Sequence, residues 1–182
     1  KEKDNLKILD YGCNTGYFLN MIKKKYPLKN LRLYGADINP YALQYAQKKY
    51  KNCIFYNINE NSLKKEKFDM IIISHVLEHI KERESFISNI KKLLKKQGEL
   101  MIAIPQERIR GDCTIIQLIY NIIRFRFENP HVVKIEYKDL NELLNKNKLE
   151  ISQYSYTNFL YPFKSSKKKF YSWSLVTLCK NK

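Results

Sequence analysis

Ile8-Leu9-Asp10-Tyr11-Gly12-Cys13-Asn14-Thr15-Gly16-Tyr17-Phe18 is the stretch that decides the fold. An apolar pair ends on an acidic residue, two glycines follow, and a segment with helical apolar spacing begins at once. The pattern predicts a strand over Leu6–Asp10, a tight turn from Gly12 to Gly16, and a helix over Tyr17–Tyr26 with Phe18, Leu19 and Ile22 on one face. Glycines let the backbone approach a ligand in conformations that a side chain blocks. The helix that follows offers free N–H groups toward the turn.

Outward from this turn, strands and helices alternate. Leu31–Ala36 reads as a second strand followed by Asp37, and Pro40 suits the first turn of a helix that runs to Tyr50. Cys53–Tyr56 reads as a third strand. Phe68–Ser74 is a continuous apolar run, as a strand buried on both faces requires. A helix is expected over Glu82–Lys96, with Lys91, Lys92, Lys95 and Lys96 in its last turn, where cations suit the dipole. Gly98 then turns the chain into a fifth strand, Glu99–Ile104. After a helix over Tyr137–Asn147, Leu149–Tyr156 and Phe170–Cys179 follow with no helix between them, so they should pair antiparallel at the sheet edge. The fold class is α/β, a doubly wound and mostly parallel sheet covered by helices on both faces. No repeat or linker divides the chain, which reads as one domain over residues 1–182 with an insertion or cap at about 106–136.

Composition narrows the function classes. The 182 residues carry 34 Lys+Arg against 18 Asp+Glu, a formal net charge of +16, and are 44% hydrophobic, which excludes a disordered chain. No apolar run approaches the ~20 residues of a membrane-spanning helix. Cys13, Cys53, Cys113 and Cys179 are widely spaced and read as free thiols in a reducing, cytoplasmic setting. The chain opens at Lys1 without Met and is expected to be a piece of a longer protein. Its positive charge is mostly lysine, 28 Lys against 6 Arg, and the Lys, Asn and Ile usage also suits A/T-rich codons.

Taken together, DYGCNTG at 10–16, GAD at 35–37, FDMIIISHVLEHI at 68–80 and GELMIAIP at 98–105 resemble the class I S-adenosylmethionine (SAM)-dependent methyltransferases. The resemblance covers about residues 6–150. It implies a Rossmann-like, seven-stranded, three-layer sandwich with an antiparallel C-terminal strand. It also implies a methyltransferase that uses SAM and releases S-adenosylhomocysteine. The rival dinucleotide fingerprint is GxGxxG. Here the pattern is DxGxxxG, and Asp10 would repel a pyrophosphate but suit the ammonium of an amino-acid cofactor.

By this resemblance Asp10, Gly12, Cys13, Asn14 and Gly16 line the methionine end of SAM, and Ser74 ends the strand beside it. Asp37 would hold the ribose, Ile38 would pack on adenine, and Asn59 stands where many relatives place an Asp facing the adenine amino group. Asn14 replaces the family's usual glycine, and Asn tolerates left-handed φ. Asp37 has a second reading, as the N-cap of the helix at Pro40.

The acceptor side rests on fewer residues. His75 follows the end of strand four and His131 follows Asn129-Pro130, and both are candidate bases. No metal is expected. The sets weighed for it are His75 and His79 with His131, and Glu78, His79 and His131; the string His75–His79 also resembles a Glu-x-x-Glu-His metal cluster of some relatives, with His75 in place of the first Glu. Arg108, Arg110, Arg124 and Arg126 flank an apolar helix expected over 115–127 and suit an anionic substrate. The acceptor is expected to be a small molecule, anionic or sugar-like, methylated on O or N. RNA is an alternative acceptor, a non-catalytic SAM-fold subunit is another reading, and the apolar insertion can serve a homodimer.

Overall fold

The computed structural model describes residues 5–28, 30–106, 119–120, 123–124, 135–158, 165–168 and 172–182. Its seven strands are β1 (Leu6–Tyr11), β2 (Leu31–Asp37), β3 (Cys53–Asn57), β4 (Phe68–Ser74), β5 (Leu94–Pro105), β6 (Leu149–Asn158) and β7 (Ser172–Asn181). They form one sheet in the order β3-β2-β1-β4-β5-β7-β6. β7 alone runs against its neighbours, as a strand reached without a crossover must. The helices with described bounds are α1 (Tyr17–Lys25), α2 (Pro40–Lys49), the single turn α3 (Asn61–Lys64), α4 (Arg83–Leu93) and α5 (Tyr137–Lys146).

Residue alternation along the strands sorts the core into two layers. Leu9, Ile71, Ile73, Leu100 and Ile102 face one side with Leu63, Ile87, Ile90, Leu140 and Leu144 from α3, α4 and α5. Ile8, Leu33 and Ile72 face the other side with Leu19 of α1 and Leu43 and Ala46 of α2. The result is the doubly wound, three-layer sandwich that the strand–helix alternation predicts.

Two expectations at the start of β5 need correction. α4 ends at Leu93, so Lys95 and Lys96 belong to the strand and do not sit on the helix dipole. Lys95 instead pairs with Asp69 of β4 through both carboxylate oxygens (2.9 and 2.8 Å). Gly98 does not turn the chain into the strand either. Between the register pairs Phe68–Leu94 and Met70–Glu99, residues 95–98 of β5 stand opposite Asp69 alone. Gly98 closes this bulge, where a Cβ would come within 2.9 Å of the Phe68 carbonyl oxygen.

Parallel topology also sorts the charge. Every helix between parallel strands ends where the next strand begins, so the negative ends of the helix dipoles collect at one pole of the sheet. The last turns carry Lys23, Lys24, Lys25, Lys48, Lys49, Lys64, Lys91, Lys92 and Lys146. Lys91 goes further and donates to the carbonyls of Asn147 and Lys148 just past α5 (2.8 and 3.0 Å). Much of the net positive charge is thereby a collar at the pole opposite the glycine turn.

Ile71 is fully buried at the centre of β4. Ile71→Ala is expected to lower the unfolding free energy by about 2–5 kcal/mol, read from the urea midpoint.

Candidate functional site

The glycine turn leaves the C-terminal end of β1, the end at which ligands bind in sheets of this kind. Gly12 (φ 86), Asn14 (φ 46) and Gly16 (φ 74) all adopt left-handed backbone. Asn14 thus takes the conformation its residue type allows. A Cβ on Gly12 would collide with the Val76 side chain, so the segment after β4 is packed directly onto the turn. A Cβ on Gly16 would lie 2.9 Å from the Phe55 ring.

The turn is tied to β2 by hydrogen bonds. The Gly12 and Cys13 N–H groups both donate to the Ala36 carbonyl (2.7 and 3.1 Å). The Asn14 N–H donates to Asp37 Oδ2 (2.7 Å), and the Asn39 N–H donates to Asp37 Oδ1 (2.9 Å). Each Asp37 oxygen is pinned by one donor and keeps acceptor capacity for a ligand. Asp37 is not the cap of α2. That role falls to Asn39, whose Oδ1 accepts from the N–H groups of Tyr41 and Ala42 (3.0 and 3.3 Å).

Asp10 is the unusual group. Its residue is only 4% exposed, and among the described residues no cation pairs with it. Burial first, and then the negative charge of Asp37, push its carboxyl up to about 7. The Cys13 thiol is raised as well, by burial and then by Asp10 and Asp37, which disfavours the thiolate a nucleophile needs. Ile38 and Asn59 are exposed beyond β2 and β3, and Ser74 is half-buried at the end of β4.

His75 occupies the step after β4 with φ 55, a left-handed conformation in a residue that has a side chain. Its N–H donates to the Ala103 carbonyl (3.0 Å), which fixes it against β5. The half-exposed ring has Nδ1 3.8 Å from Glu78 Oε1 and Nε2 3.4 Å from Ser174 Oγ of β7. His79 lies in the short 3-10 turn Leu77–His79 that follows, and its N–H donates to the Val76 carbonyl (3.0 Å).

Not every sequence candidate joins this group. His131, Arg108, Arg110, Arg126 and Cys113 lie outside the described residues, as does most of the apolar segment at 115–127. Of that segment Ile119, Tyr120 and Ile123 are exposed, and the Arg124 guanidinium lies over the Tyr120 ring (5.0 Å). Among the described residues no three His, Cys, Asp or Glu side chains gather in a way that could hold a metal. Two contacts of the site had no sequence signal. Ser174 reaches His75 across 99 residues of chain, and Val76 meets Gly12 only through the β1–β4 pairing.

A model of the methyltransferase-domain family matches residues 2–171. The chain belongs to this family. Its fold is that of the class I SAM-dependent methyltransferases. The chain is 25% identical over 166 residues to a ubiquinone biosynthesis O-methyltransferase of Pelagibacter ubique, covering 87% of this chain and 68% of that protein. It is 33% identical over 117 residues to the protein of the same name from Glaesserella parasuis, covering 60% of this chain and 50% of that one. The chain therefore spans about half to two thirds of these curated relatives. Among solved structures, the magnesium protoporphyrin IX methyltransferase of Synechocystis with bound S-adenosylhomocysteine superimposes with a TM-score of 0.66 at 18% identity, over 98% of this chain and 75% of that one.

For this methyltransferase-family chain the Asp10 shift makes a stability prediction. The carboxyl binds its proton more tightly folded than unfolded. Its contribution is therefore full below the ordinary Asp range and is lost as pH rises from about 4 through about 7. Asp10→Asn is expected to raise the unfolding free energy at pH 8, by on the order of 2 kcal/mol, and to have less effect at pH 5. An equal effect at both values in thermal melts would show that Asp10 ionises normally.

Proposed function

We propose that this methyltransferase binds SAM across the glycine turn and methylates a hydroxyl of a small, anionic or sugar-like acceptor, with His75 as the general base. The observation that carries the reading is the position of His75. It sits at the C-terminal end of β4, one residue before Val76, which touches Gly12, and its ring reaches Ser174 of β7, so it stands at the ligand end of the sheet between the glycine turn and the antiparallel edge.

The cofactor fits the residues present. A buried carboxyl without a cation, Asp10, suits the ammonium of the methionine portion. The pinned but unsaturated Asp37 carboxylate suits a ribose diol, and exposed Ile38 offers an apolar face for adenine, with Asn59 nearby for its amino group. Gly12, Cys13, Asn14, Gly16 and Ser74 complete the wall. SAM supplies an electrophilic methyl group on a sulfonium. The protein's part is to align the acceptor and to take the hydroxyl proton at the His75 imidazole.

The names of the O-methyltransferase relatives support an oxygen acceptor on a small molecule, while other relatives at similar identity are named C-methyltransferases. Residues 106–136 are read as the cap over that acceptor within a single domain. Arg124 and the neighbouring arginines Arg108, Arg110 and Arg126 are its anion contacts, and His131 is a second candidate base. An RNA acceptor fits less well, because the lysine collar lies at the opposite pole from the glycine turn.

Two variants test the reading. Asp37→Ala is expected to abolish SAM binding in calorimetry, and retained affinity would remove the cofactor assignment. With protocatechuate as the probe acceptor, His75→Ala is expected to cut turnover by about a hundredfold or more while leaving SAM affinity unchanged. Unchanged turnover would assign the proton to another group.

A further inference from the structure

Glu78 is a buried carboxyl group, at 1% exposure, both of whose oxygens are out of solvent with no hydrogen-bond partner. Such a group costs free energy, and an apolar residue of similar shape would pack there at least as well. Its presence in a 3-10 turn beside Leu77, which is itself fully buried, calls for a role. A polar atom close to it is Nδ1 of His75, at 3.8 Å from Oε1. That is too long for a hydrogen bond as it stands, but catalytic contacts in ligand-free sites are commonly long and tighten when the site fills.

The backbone explains how the two meet. His75 has left-handed φ, and its N–H is held by Ala103, so the chain reverses sharply off the end of β4. Three residues later the 3-10 turn returns Glu78 beneath the ring. Strained backbone persists where the surrounding structure over-determines it, and it tends to occur at functional sites. An extended residue 75 would lead the ring away from both Glu78 and Ser174.

We infer that Glu78 is a positioning residue for His75: it holds the proton of the neutral imidazole on Nδ1 and so leaves Nε2 as the free base facing the acceptor. This inference rests on the reading of His75 as the base. The tautomer of a histidine is set by the partner of its other nitrogen. Once ionised, a carboxyl beside Nδ1 accepts only, so Nδ1 carries the hydrogen. Nε2 then accepts from the Ser174 hydroxyl, 3.4 Å away, until an acceptor hydroxyl displaces that contact. When Nε2 takes the acceptor's proton, the imidazolium has the Glu78 carboxyl group behind it. Glu78 touches neither acceptor nor cofactor in this arrangement and acts through the ring alone.

Long-range proton–nitrogen NMR on the full chain reads the tautomer without any acceptor, because an unprotonated imidazole nitrogen resonates far downfield of a protonated one. The spectrum is taken about two pH units above the ordinary imidazole range. The His75 signals are expected to show protonated Nδ1 and bare Nε2. Glu78→Gln, whose amide oxygen also accepts, should keep that pattern. Glu78→Met should move His75 to the Nε2–H form, with a melting temperature no lower than the parent's. Ser174→Ala should change nothing in the tautomer. A parent protein already in the Nε2–H form overturns the inference, and so does a tautomer that follows Ser174 rather than Glu78. The His75→Ala turnover measurement is separate, so a base located elsewhere would be recognised independently of this result.

Discussion

A carboxyl group is buried at the end of β1, a second stands at the end of the neighbouring β2, and no cation lies with them among the described residues. Much of the site follows from that constraint. β1 and β2 pair in register, with Asp10 beside Gly35, so the two acids cannot move apart without breaking the sheet. Asp37 relieves its charge by accepting two backbone N–H groups, and in doing so fixes the glycine turn. Asp10 has no such relief and holds its proton up to about neutral pH. The fold thus carries an unfavourable buried acid at the point where a cationic ligand would neutralise it. On the proposed reading of Asp10, stability is given up there for binding, as is common where a site is prepared for charge.

The distribution of lysine is the complement of this arrangement. In a parallel sheet with connecting helices, the helix N-termini point to the ligand end and the C-termini to the other. The first turns of α1, α2 and α3 hold no acidic residue, while their last turns hold lysines. The positive ends of the backbone dipoles are left open toward the glycine turn, and side-chain cations gather where the dipoles are negative. A large part of the +16 is in this way a property of the topology as much as of any partner.

Much of this was legible in the sequence. The glycine turn, the strand–helix alternation and the unbroken apolar β4 sufficed for the fold, because each is a local pattern with one physical meaning. The boundary of α4 was not legible. Lys91, Lys92, Lys95 and Lys96 share a helical spacing, and only the pairing of Lys95 with Asp69 pulls the second pair into β5. Asp10 and Asp37 were readable as candidate site residues by their places at strand ends. The split in their environments was not, since it depends on which backbone N–H groups reach each carboxyl. The surroundings of His75 were hidden for the same reason. Its left-handed backbone, the buried Glu78 below it and Ser174 of β7 beside it come together only in three dimensions.

The central claim is that the buried Asp10 carboxyl becomes the anionic seat of the cofactor's ammonium. Calorimetric titration of the full chain with SAM, in buffers of different ionisation enthalpy, tests it most directly. Binding is expected to release a proton on the acid side of about pH 7 and to weaken roughly tenfold for each further unit of acidification. Proton uptake, or an affinity that stays level from pH 8 to pH 5, would contradict it.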